Sequence, residues 1–223
     1  MVLNILRVRA MGKKGQVSIE FLFIFAILLI LLAYSVQNTT FQPGSQSVEA
    51  IKVQIAIEEK ELANTISGAI SQAYSQGPGS KTTVYVKLVY LRKPYYLEKV
   101  WSVTDPAIFI TYGQHFADGN GTYVVVLNGT GTTKVILTGG DKNAFWTGAL
   151  YQRNLLGNST VWGGSSASVD FGTGATTVYG LKLDPTTIPP VLRVVVEWNP
   201  DLPNSWAFNS TAGELRININ PGG

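Results

Sequence analysis

The first feature of the hydrophobic pattern is an uninterrupted apolar run at residues 21–36, which contains no charged residue. A helix of this length spans about 24 Å, which is shorter than the bilayer core of about 30 Å. Adding residues 17–20 brings the segment to 20 residues, which is sufficient to cross a membrane. The pattern therefore predicts a membrane-length helix that carries one carboxylate, Glu20, at its edge.

The pattern after residue 36 predicts a break and then a second helix. Pro43 removes a backbone donor and Gly44 is a poor helix former, so we expect a kink within residues 37–47. Residues 48–76 have helical periodicity, and Ser45 or Ser47 is the expected cap. The charged run at residues 58–61 reads as a solvated patch. The apolar stripe is typical of a helix that packs on a domain, and its members are Val48, Ile51, Ile55, Leu62, Ile66, Ile70 and Tyr74.

Residues 80–223 have a β pattern, rich in Val, Ile, Thr, Tyr and Trp and divided by Gly, Asn and Pro. Asn120-Gly121 and Asn128-Gly129 are hairpin-type turn signals, and residues 139–169 read as long loops that form a contact surface. We therefore predict an α+β fold, in which a long kinked amino-terminal helix precedes an antiparallel β-sandwich or barrel. The predicted strands are residues 82–91, 99–103, 107–111, 122–127, 133–138, 176–183, 191–198 and 214–219.

Composition and charge narrow the functional classes. Charged residues make up 14% of the chain, against about 25% in ordinary soluble domains. Four of the 17 basic residues precede the apolar run, so a chain without them carries 13 basic and 14 acidic residues, a formal charge of −1. A surface of this kind gives little attraction for nucleic acid. The absence of cysteine excludes disulfides and cysteine-ligated metals.

Hydropathy alone leaves two ordinary interpretations of the amino terminus open. A secretory signal peptide would have the basic region, the apolar core and a small-x-small cleavage site at Ala33-Tyr34-Ser35. An uncleaved signal anchor would keep Lys13 and Lys14 on the cytoplasmic side. Cleavage after Ser35 would release the body from the membrane, whereas an anchor would retain it.

The residues just before the apolar run resemble the class III signal peptide of archaeal type IV pilin-like proteins. In that family a basic stretch and a Gly precede a Gln-x-Ser-x-Glu pattern, and Gly15, Gln16, Ser18 and Glu20 occupy those positions here. The resemblance implies that a prepilin-peptidase-type membrane protease cuts between Gly15 and Gln16. Residues 1–15 would then be the leader, and residues 16–36 would be retained as a transmembrane and filament-core helix.

The resemblance also implies an assembly role for Glu20. Cleavage creates an amine at Gln16, four residues before Glu20, so both lie on one face of the helix. In related pilins the equivalent carboxylate is thought to neutralise the amino terminus of a neighbouring subunit. Pairing of Glu20 with its own chain's amine is the alternative, and cyclisation of Gln16 would remove the amine's charge.

The function implied is that of a structural subunit of an archaeal type IV pilus-like filament, with an adhesive role as one option. Its partners would be copies of itself, the processing protease, the membrane before assembly, and a surface or glycan target. The expected location is a membrane-inserted precursor and then an extracellular filament. The alternatives are a minor pilin or archaellum-associated component, a membrane-anchored carbohydrate-binding protein that does not polymerise, and a secreted enzyme.

Asn-x-Ser/Thr sequons suggest glycosylation on an outward-facing domain. Ordinary turn chemistry is the competing explanation, particularly at the two Asn-Gly turns. Of the five sequons, Asn158 and Asn209 are therefore the favoured sites; the complete set is Asn38, Asn120, Asn128, Asn158 and Asn209.

Catalytic and metal-binding patterns are weak, and we expect neither an enzyme nor a bound cofactor or metal. His115 is the only histidine and has no nucleophile motif beside it, so an ordinary turn or surface position is expected. Residues 118–122 loosely echo a calcium loop but lack its later Glu. Trp146, Tyr151 and Trp162 fit a sugar-stacking platform, although core packing or subunit contact is the favoured interpretation.

Overall fold

The computed structural model describes residues 14–40, 45–115 and 119–222, and in this part of the chain two long helices precede a body rich in strands. The helices are α1 (Lys14–Thr40), α2 (Gln46–Gln76) and α3 (Pro94–Trp101). The strands are β1 (Lys81–Lys87), β2 (Ala107–Gly113), β3 (Gly121–Leu127), β4 (Thr133–Lys134), β5 (Ala144–Gly148), β6 (Ser166–Asp170), β7 (Ala175–Tyr179), β8 (Leu181–Leu183), β9 (Val191–Trp198), β10 (Ser205–Asn209) and β11 (Glu214–Ile219).

The described strands form three sheets. Two have four strands each, in the orders β1-β9-β11-β10 and β5-β3-β2-β8, and a smaller sheet has the order β4-β6-β7. The predicted α+β class, with a long amino-terminal helical region followed by antiparallel-rich sheets, is confirmed. Two pairs depart from antiparallel order, because β9 and β11 run parallel, as do β4 and β6.

Helix α2 and the two larger sheets share one core. At one side of the pair of sheets, β10 contacts β8; at the other, α2 packs against the edge strands β1 and β5 and their neighbours β9 and β3. The buried face of α2 is the stripe that the sequence predicts, although Ile51 and Tyr74, near its two ends, are only partly buried. Each sheet contributes the alternate, inward-facing residues of its strands, so the helix closes one open side of the sandwich.

Of the two strand predictions around α3, the strand at residues 99–103 is wrong and the strand at residues 82–91 is too long. Lys99–Trp101 is the last part of a helix, which begins with Pro94 in its first turn and buries Leu97. Pro is favoured in the first helical turn, where its missing N–H is no loss. The predicted strand at residues 82–91 ends at Lys87, because the backbone amides of residues 89–91 turn to a side chain of α2 instead of a neighbouring strand.

The prediction of long loops at residues 139–169 is wrong in part. Strand β5, all but the last residue of β6, and a short 3-10 helix at Thr160–Trp162 lie in this segment. Strand β10 was also not predicted, and only Thr133–Lys134 of the predicted strand 133–138 pairs with another strand. These strands have five residues or fewer, too few for a clear period-two signal.

Gly121 does not lie in a tight hairpin turn. It is the first residue of β3 and stands between Gly113 of β2 and Gly148 of β5. A Cβ atom at Gly121 would lie 2.2 Å from the backbone oxygen of Thr147. Close approach of two strand backbones, not turn geometry, therefore explains this glycine.

The substitution Gly121→Ala tests that explanation. We expect it to lower the free energy of unfolding by about 1–3 kcal/mol, the usual range for overpacking, because β3 and β5 must separate to admit the methyl group. The measurement is urea unfolding of the detergent-solubilised full chain, followed by tryptophan fluorescence.

Gly148→Ala is the matched control, because a Cβ there meets no atom closer than 3.8 Å. The control should unfold close to the wild type. Equal losses of stability in the two variants would contradict the close-approach argument.

Candidate functional site: the amino-terminal helices and their attachment to the body

Helix α1 is apolar around its whole circumference. Its segment Ile19–Val36 has 18 residues with a mean hydropathy of 2.6, long and apolar enough by composition to cross a membrane. None of this segment is buried by the rest of the described chain. A helix that is hydrophobic on all sides requires an apolar environment, either lipid or other helices.

The exposed side chains of α1 are large and tightly spaced. The rings of Phe21 and Phe25, one helical turn apart, stack with their centroids 6.3 Å apart. The other large exposed residues point to every side of the helix: Ile19, Leu22, Phe23, Ile24, Ile27, Leu28, Leu29, Ile30, Leu31, Leu32, Tyr34 and Val36. No single stripe can be turned inward, so one partner helix would not cover α1.

The predicted cleavage site, the Gly15–Gln16 bond, lies near the first described residue of α1, which is described from Lys14 onward. Residues 1–13 of the predicted leader lie outside the described residues.

Glu20 is the one acidic residue at the edge of the apolar segment, and its side chain is exposed. Helix α1 is continuous through Gln16 and Glu20, so the four-residue spacing places both on one helix face. A carboxylate within lipid costs about 2.5–3.5 kcal/mol on insertion scales. That cost favours a position at the membrane boundary or a cationic partner.

Helices α1 and α2 are separate elements. Helix α1 is described as far as Thr40, and α2 begins after Ser45, whose side chain accepts a hydrogen bond of 3.4 Å from the N–H of Val48. The predicted kink at Pro43 and Gly44 lies outside the described residues. The confirmed cap at Ser45 shows that α2 starts as a new helix.

Glu58 fastens α2 to the chain that follows β1. Its carboxylate accepts hydrogen bonds of 2.8–3.1 Å from the N–H groups of Val89, Tyr90 and Leu91. Charge-assisted bonds of this kind are stronger than neutral ones. The carboxylate thereby replaces the strand partner that these three amides lack.

Lys60 and its neighbours fasten the opposite flank of α2 to β5. The Lys60 ammonium donates to the backbone oxygen of Trp146 at 2.7 Å and to Oγ1 of Thr147 at 2.9 Å. Ser67 donates to the backbone oxygen of Thr147 at 2.7 Å. Partial burial lowers the pKa of Lys60 from its ordinary value. Consecutive helix residues are about 100° apart, so Glu58 and Lys60 reach opposite sides.

Glu59 lies between these two anchors and points into the core. It is fully buried, and its carboxyl oxygens have no hydrogen-bond partner among the described residues. Burial raises the pKa of Glu59 well above its ordinary value, which favours the neutral acid. The prediction of a solvated patch at residues 58–61 is therefore wrong for Glu58 and Glu59, and it holds for Glu61, which is exposed.

The predicted sequons differ in accessibility. Asn120 is buried and its Nδ2, the atom that a glycan would need, donates to the backbone oxygen of Gln152. Asn128 accepts a hydrogen bond from the N–H of Thr104. Asn158 and Asn209 are exposed, while the side chain of Asn38 lies outside the described part. Glycosylation stays a prediction, with Asn158 and Asn209 the accessible positions.

The aromatic residues considered for sugar binding are largely core residues. Tyr151 and Trp162 are buried, and Tyr151 donates to Oδ1 of Asn204 at 2.5 Å. Trp146 is half-buried, and its ring stacks on the ring of Tyr123 with the two centroids 5.6 Å apart. A stacking platform made of these side chains is therefore wrong, because two of them have no face open to solvent.

His115 is not an ordinary surface residue. Its ring stacks on Phe171 with centroids 4.1 Å apart and meets Tyr123 edge-on at 4.5 Å. Burial lowers the pKa of His115 to about 4, so the imidazole is neutral at pH 7. Asp118 of the weak calcium pattern lies outside the described residues, and among those described no cluster of three or more His, Asp or Glu suits a metal.

Comparison with known proteins gives one match, and it falls on the amino-terminal segment. Residues 13–36 match the family model of the class III signal peptide. No curated protein and no solved structure matches the chain. The match covers the predicted cleavage site and the whole apolar run. It supports a secreted, pilin-like or archaellin-like subunit with a membrane-inserted precursor.

The substitution Glu59→Met tests the buried acid. Burial raises the pKa of Glu59 in the folded state above its ordinary value of 4.5. The free energy of unfolding is therefore highest below about pH 4.5, where Glu59 is neutral in both states, and it falls as the pH rises toward the folded-state pKa. The slope over that window is about 1.4 kcal/mol per pH unit. We expect Glu59→Met to be more stable than the wild type at pH 7 and to lose this slope, in urea unfolding of the detergent-solubilised chain at several pH values.

Glu61→Met is the control for that experiment, since Glu61 is exposed on the same helix. It should keep the pH dependence of the wild type. An unchanged slope in Glu59→Met would show that Glu59 is not the titrating group.

Proposed function

We propose that the mature chain is a structural subunit of an archaeal type IV pilus-like surface filament, in which α1 provides the contacts between copies. One observation carries the proposal: the class III signal peptide match at residues 13–36 coincides with a helix that is apolar on every side and uncovered by its own chain. An ordinary signal peptide is discarded together with its apolar segment, whereas a class III signal peptide is cut before that segment, so the apolar helix stays attached to the body.

Processing in this proposal follows from the position of the cut. A prepilin-peptidase-type protease on the cytoplasmic side removes residues 1–15 and leaves α1 attached to the body. The cut removes the leader's basic residues, which hold the amino terminus inside. The apolar helix is then free to leave the bilayer if other apolar helices replace the lipid around it.

Assembly supplies that replacement. Since α1 has no polar face, several neighbouring copies of α1 are needed to cover it, and a helical bundle at the filament axis meets this need. The β body is then displayed outward, held to α2 by the bonds of Glu58 and Lys60. The body would act as a display surface and not as an enzyme.

Glu20 gives the assembly its register. Its carboxylate stands at the border of the apolar segment, where an unpaired charge within a helix bundle is costly. The new amine at Gln16 of a neighbouring copy is the cation available to neutralise it. Pairing would occur only when two helices are offset so that Gln16 meets Glu20.

Amino-terminal sequencing of the mature protein, together with imaging of purified surface filaments, tests the proposal. The expected result is Gln16 as the first residue and filaments composed of this chain. Val36 as the first residue would identify a secreted protein, and retention of residues 1–15 would identify an anchored one. Filaments in which the chain is a trace component would identify a minor subunit.

The substitution Gly15→Val should block processing. A β-branched side chain next to the scissile bond crowds the protease site, so the precursor should accumulate at its full mass. Gly12→Val is the matched control outside the predicted site and should be processed normally. Mass spectrometry of the membrane fraction measures both, and processed Gly15→Val protein would contradict the assigned cut.

The substitution Glu20→Ala should permit cleavage but reduce filament yield by tenfold or more, since the helix loses its pairing charge. Asp201→Ala, which removes an exposed carboxylate of the body, is the control and should assemble normally. Filament yield is measured by immunoblot of sheared surface fractions, with processing measured in the same cells. A wild-type yield from Glu20→Ala would remove Glu20 from the assembly mechanism.

A further inference from the structure

The sheet β1-β9-β11-β10 has one face in the core and a second face that the described chain leaves open. Leu192 and Val194 of β9 lie in the core, whereas the side chain of Arg193 between them is 45% exposed. Successive side chains of a strand lie on opposite faces, so Arg193 belongs to the second face. Arg216 of β11 lies on the same face, and its side chain is 67% exposed. We call this accessible surface the outer face.

One buried carboxylate holds the two arginines of the outer face in place. Glu214 lies directly beside Arg193 in the β9–β11 ladder, and its side chain is 5% exposed. Nη2 of Arg193 donates to Oε2 of Glu214, and Nε of Arg216 donates to Oε1 at 2.8 Å. Charge-assisted bonds of this kind are short and strong. The two guanidinium groups are therefore positioned by the protein before any ligand binds.

Most donors of these two arginines remain available. A guanidinium group has five N–H donors, and the described residues accept a hydrogen bond from one nitrogen of each arginine. Both terminal nitrogens of Arg216 make no such bond within the described chain. Planar guanidinium donors match the oxygens of a carboxylate, and equally those of a sulfate ester, two at a time. The pair can therefore bind an anionic group while it stays bonded to Glu214.

A large aromatic ring lies beside the arginines. Tyr85 of β1 is paired with Arg193 in the β1–β9 ladder and is 65% exposed. The Cβ atoms of two residues paired in this way are about 4.5–5.5 Å apart. Neighbouring strands are about 4.8 Å apart, so Tyr85, Arg193 and Glu214 form one row across three strands. A ligand on this row meets an aromatic ring and a charged group side by side.

The outer face has a surplus of positive charge around Tyr85. Its charged residues over the four strands are Lys81, Lys87, Arg193, Arg216, Glu197 and Glu214, four positive and two negative. Lys81 and Glu197 pair at 3.7 Å at the far end of the sheet and cancel. Lys87 is exposed and forms no ion pair with a described residue. The remaining balance, three positive charges against one negative, favours an anionic ligand.

The mixture of groups on the outer face selects a class of ligand. Thr83 of β1 and Asn209 of β10 flank the row, are exposed, and carry uncharged polar groups that suit hydroxyl partners. The exposed ring of Tyr85 can stack on the apolar face of a sugar ring. Nucleic acid fits less well, because its affinity depends on many phosphate contacts, whereas the surplus here is three charges minus one, or two.

We infer that the outer face binds an acidic sugar chain, one that carries carboxylates or sulfates. Arg193 and Arg216 bind the anionic groups, and Tyr85 stacks on a sugar ring. The site goes beyond the proposed filament function and does not require polymerisation. Two sources would supply this chemistry. One is a glycan linked to the predicted sequon at Asn209, whose partner in the β10–β11 ladder is Glu214, and the other is a polysaccharide of another surface.

Calorimetric titration of hexagalacturonate, a carboxylated oligosaccharide, into the mature chain in detergent tests the site. We expect binding at physiological ionic strength, and Arg216→Gln should lower the affinity about tenfold or more because its charge-assisted bonds to the ligand are lost. Tyr85→Ala should also weaken binding, whereas Tyr85→Phe keeps the ring and should bind like the wild type. Lys134→Gln is the matched control, because it removes an exposed positive charge from β4, which lies in another sheet.

The variant Asn209→Gln separates the two sources of the sugar chain, because it removes the sequon. Equal binding of hexagalacturonate by the wild type and by Asn209→Gln supports a separate polysaccharide as the ligand. Binding by Asn209→Gln alone supports a linked glycan that occupies the site in the wild type. The absence of binding in both proteins overturns the inference.

Affinities that do not differ between Arg216→Gln, Tyr85→Ala and Lys134→Gln also overturn the site, provided that urea unfolding shows each variant to be folded. Neutral maltohexaose and oligothymidylate should bind at least about tenfold more weakly than hexagalacturonate, and equal binding of either overturns the assignment to acidic sugars. Dimers of the wild type that Arg216→Gln abolishes, without sugar binding, would identify a second copy as the occupant and overturn the inference too. None of these results bears on filament formation, which sequencing and imaging test separately.

Discussion

The apolar surface of α1 is the constraint on which the other features of the molecule depend. From Ile19 to Val36 the helix offers no polar face, and no part of the described body covers it. Water is excluded as its environment by the cost of exposing so much apolar area, about 25 cal/mol per Å². The helix must therefore remain in lipid or exchange lipid for other helices. The class III signal peptide match over residues 13–36 supports a pilin-like, membrane-inserted precursor, and the proposed cut after Gly15 would keep this surface available for assembly.

A helix bundle at a filament axis can display a body only if the body is held firmly to the helices. Three consecutive residues of α2 meet that need in different ways. Glu58 binds the segment after β1, Lys60 binds β5, and Glu59 is buried in the core between them. The two outer residues gain charge-assisted hydrogen bonds, whereas a neutral acid at Glu59 avoids the cost of a buried, unpaired charge. Helix α2 is thereby joined at one level to β5 and to the segment that follows β1.

The long helices could be predicted because their signals extend over many residues: the apolar run of α1, the stripe of α2, and end signals at Ser45 and Gly77. The anchors could not be predicted, because the partners of Glu58 are backbone amides more than thirty positions away, and a charged run normally faces solvent. Short strands such as β5 were missed since five residues carry little periodicity. Gly121 was misread as a turn residue because sequence does not reveal the close approach of β5. The class III signal peptide is a pattern of consecutive residues and can be read from the sequence. The packing of α2 on the sheets depends on contacts between residues far apart in the chain, which the sequence does not reveal.

The low charge of the body has a consequence specific to polymers. After removal of residues 1–15 the chain has 13 basic and 14 acidic residues, so each added subunit changes the charge of the proposed filament by about one unit. A strongly charged subunit would accumulate repulsion as copies are added at close spacing. Near neutrality limits that repulsion, and the uncharged Thr, Ser and Asn side chains keep the outer surface hydrated.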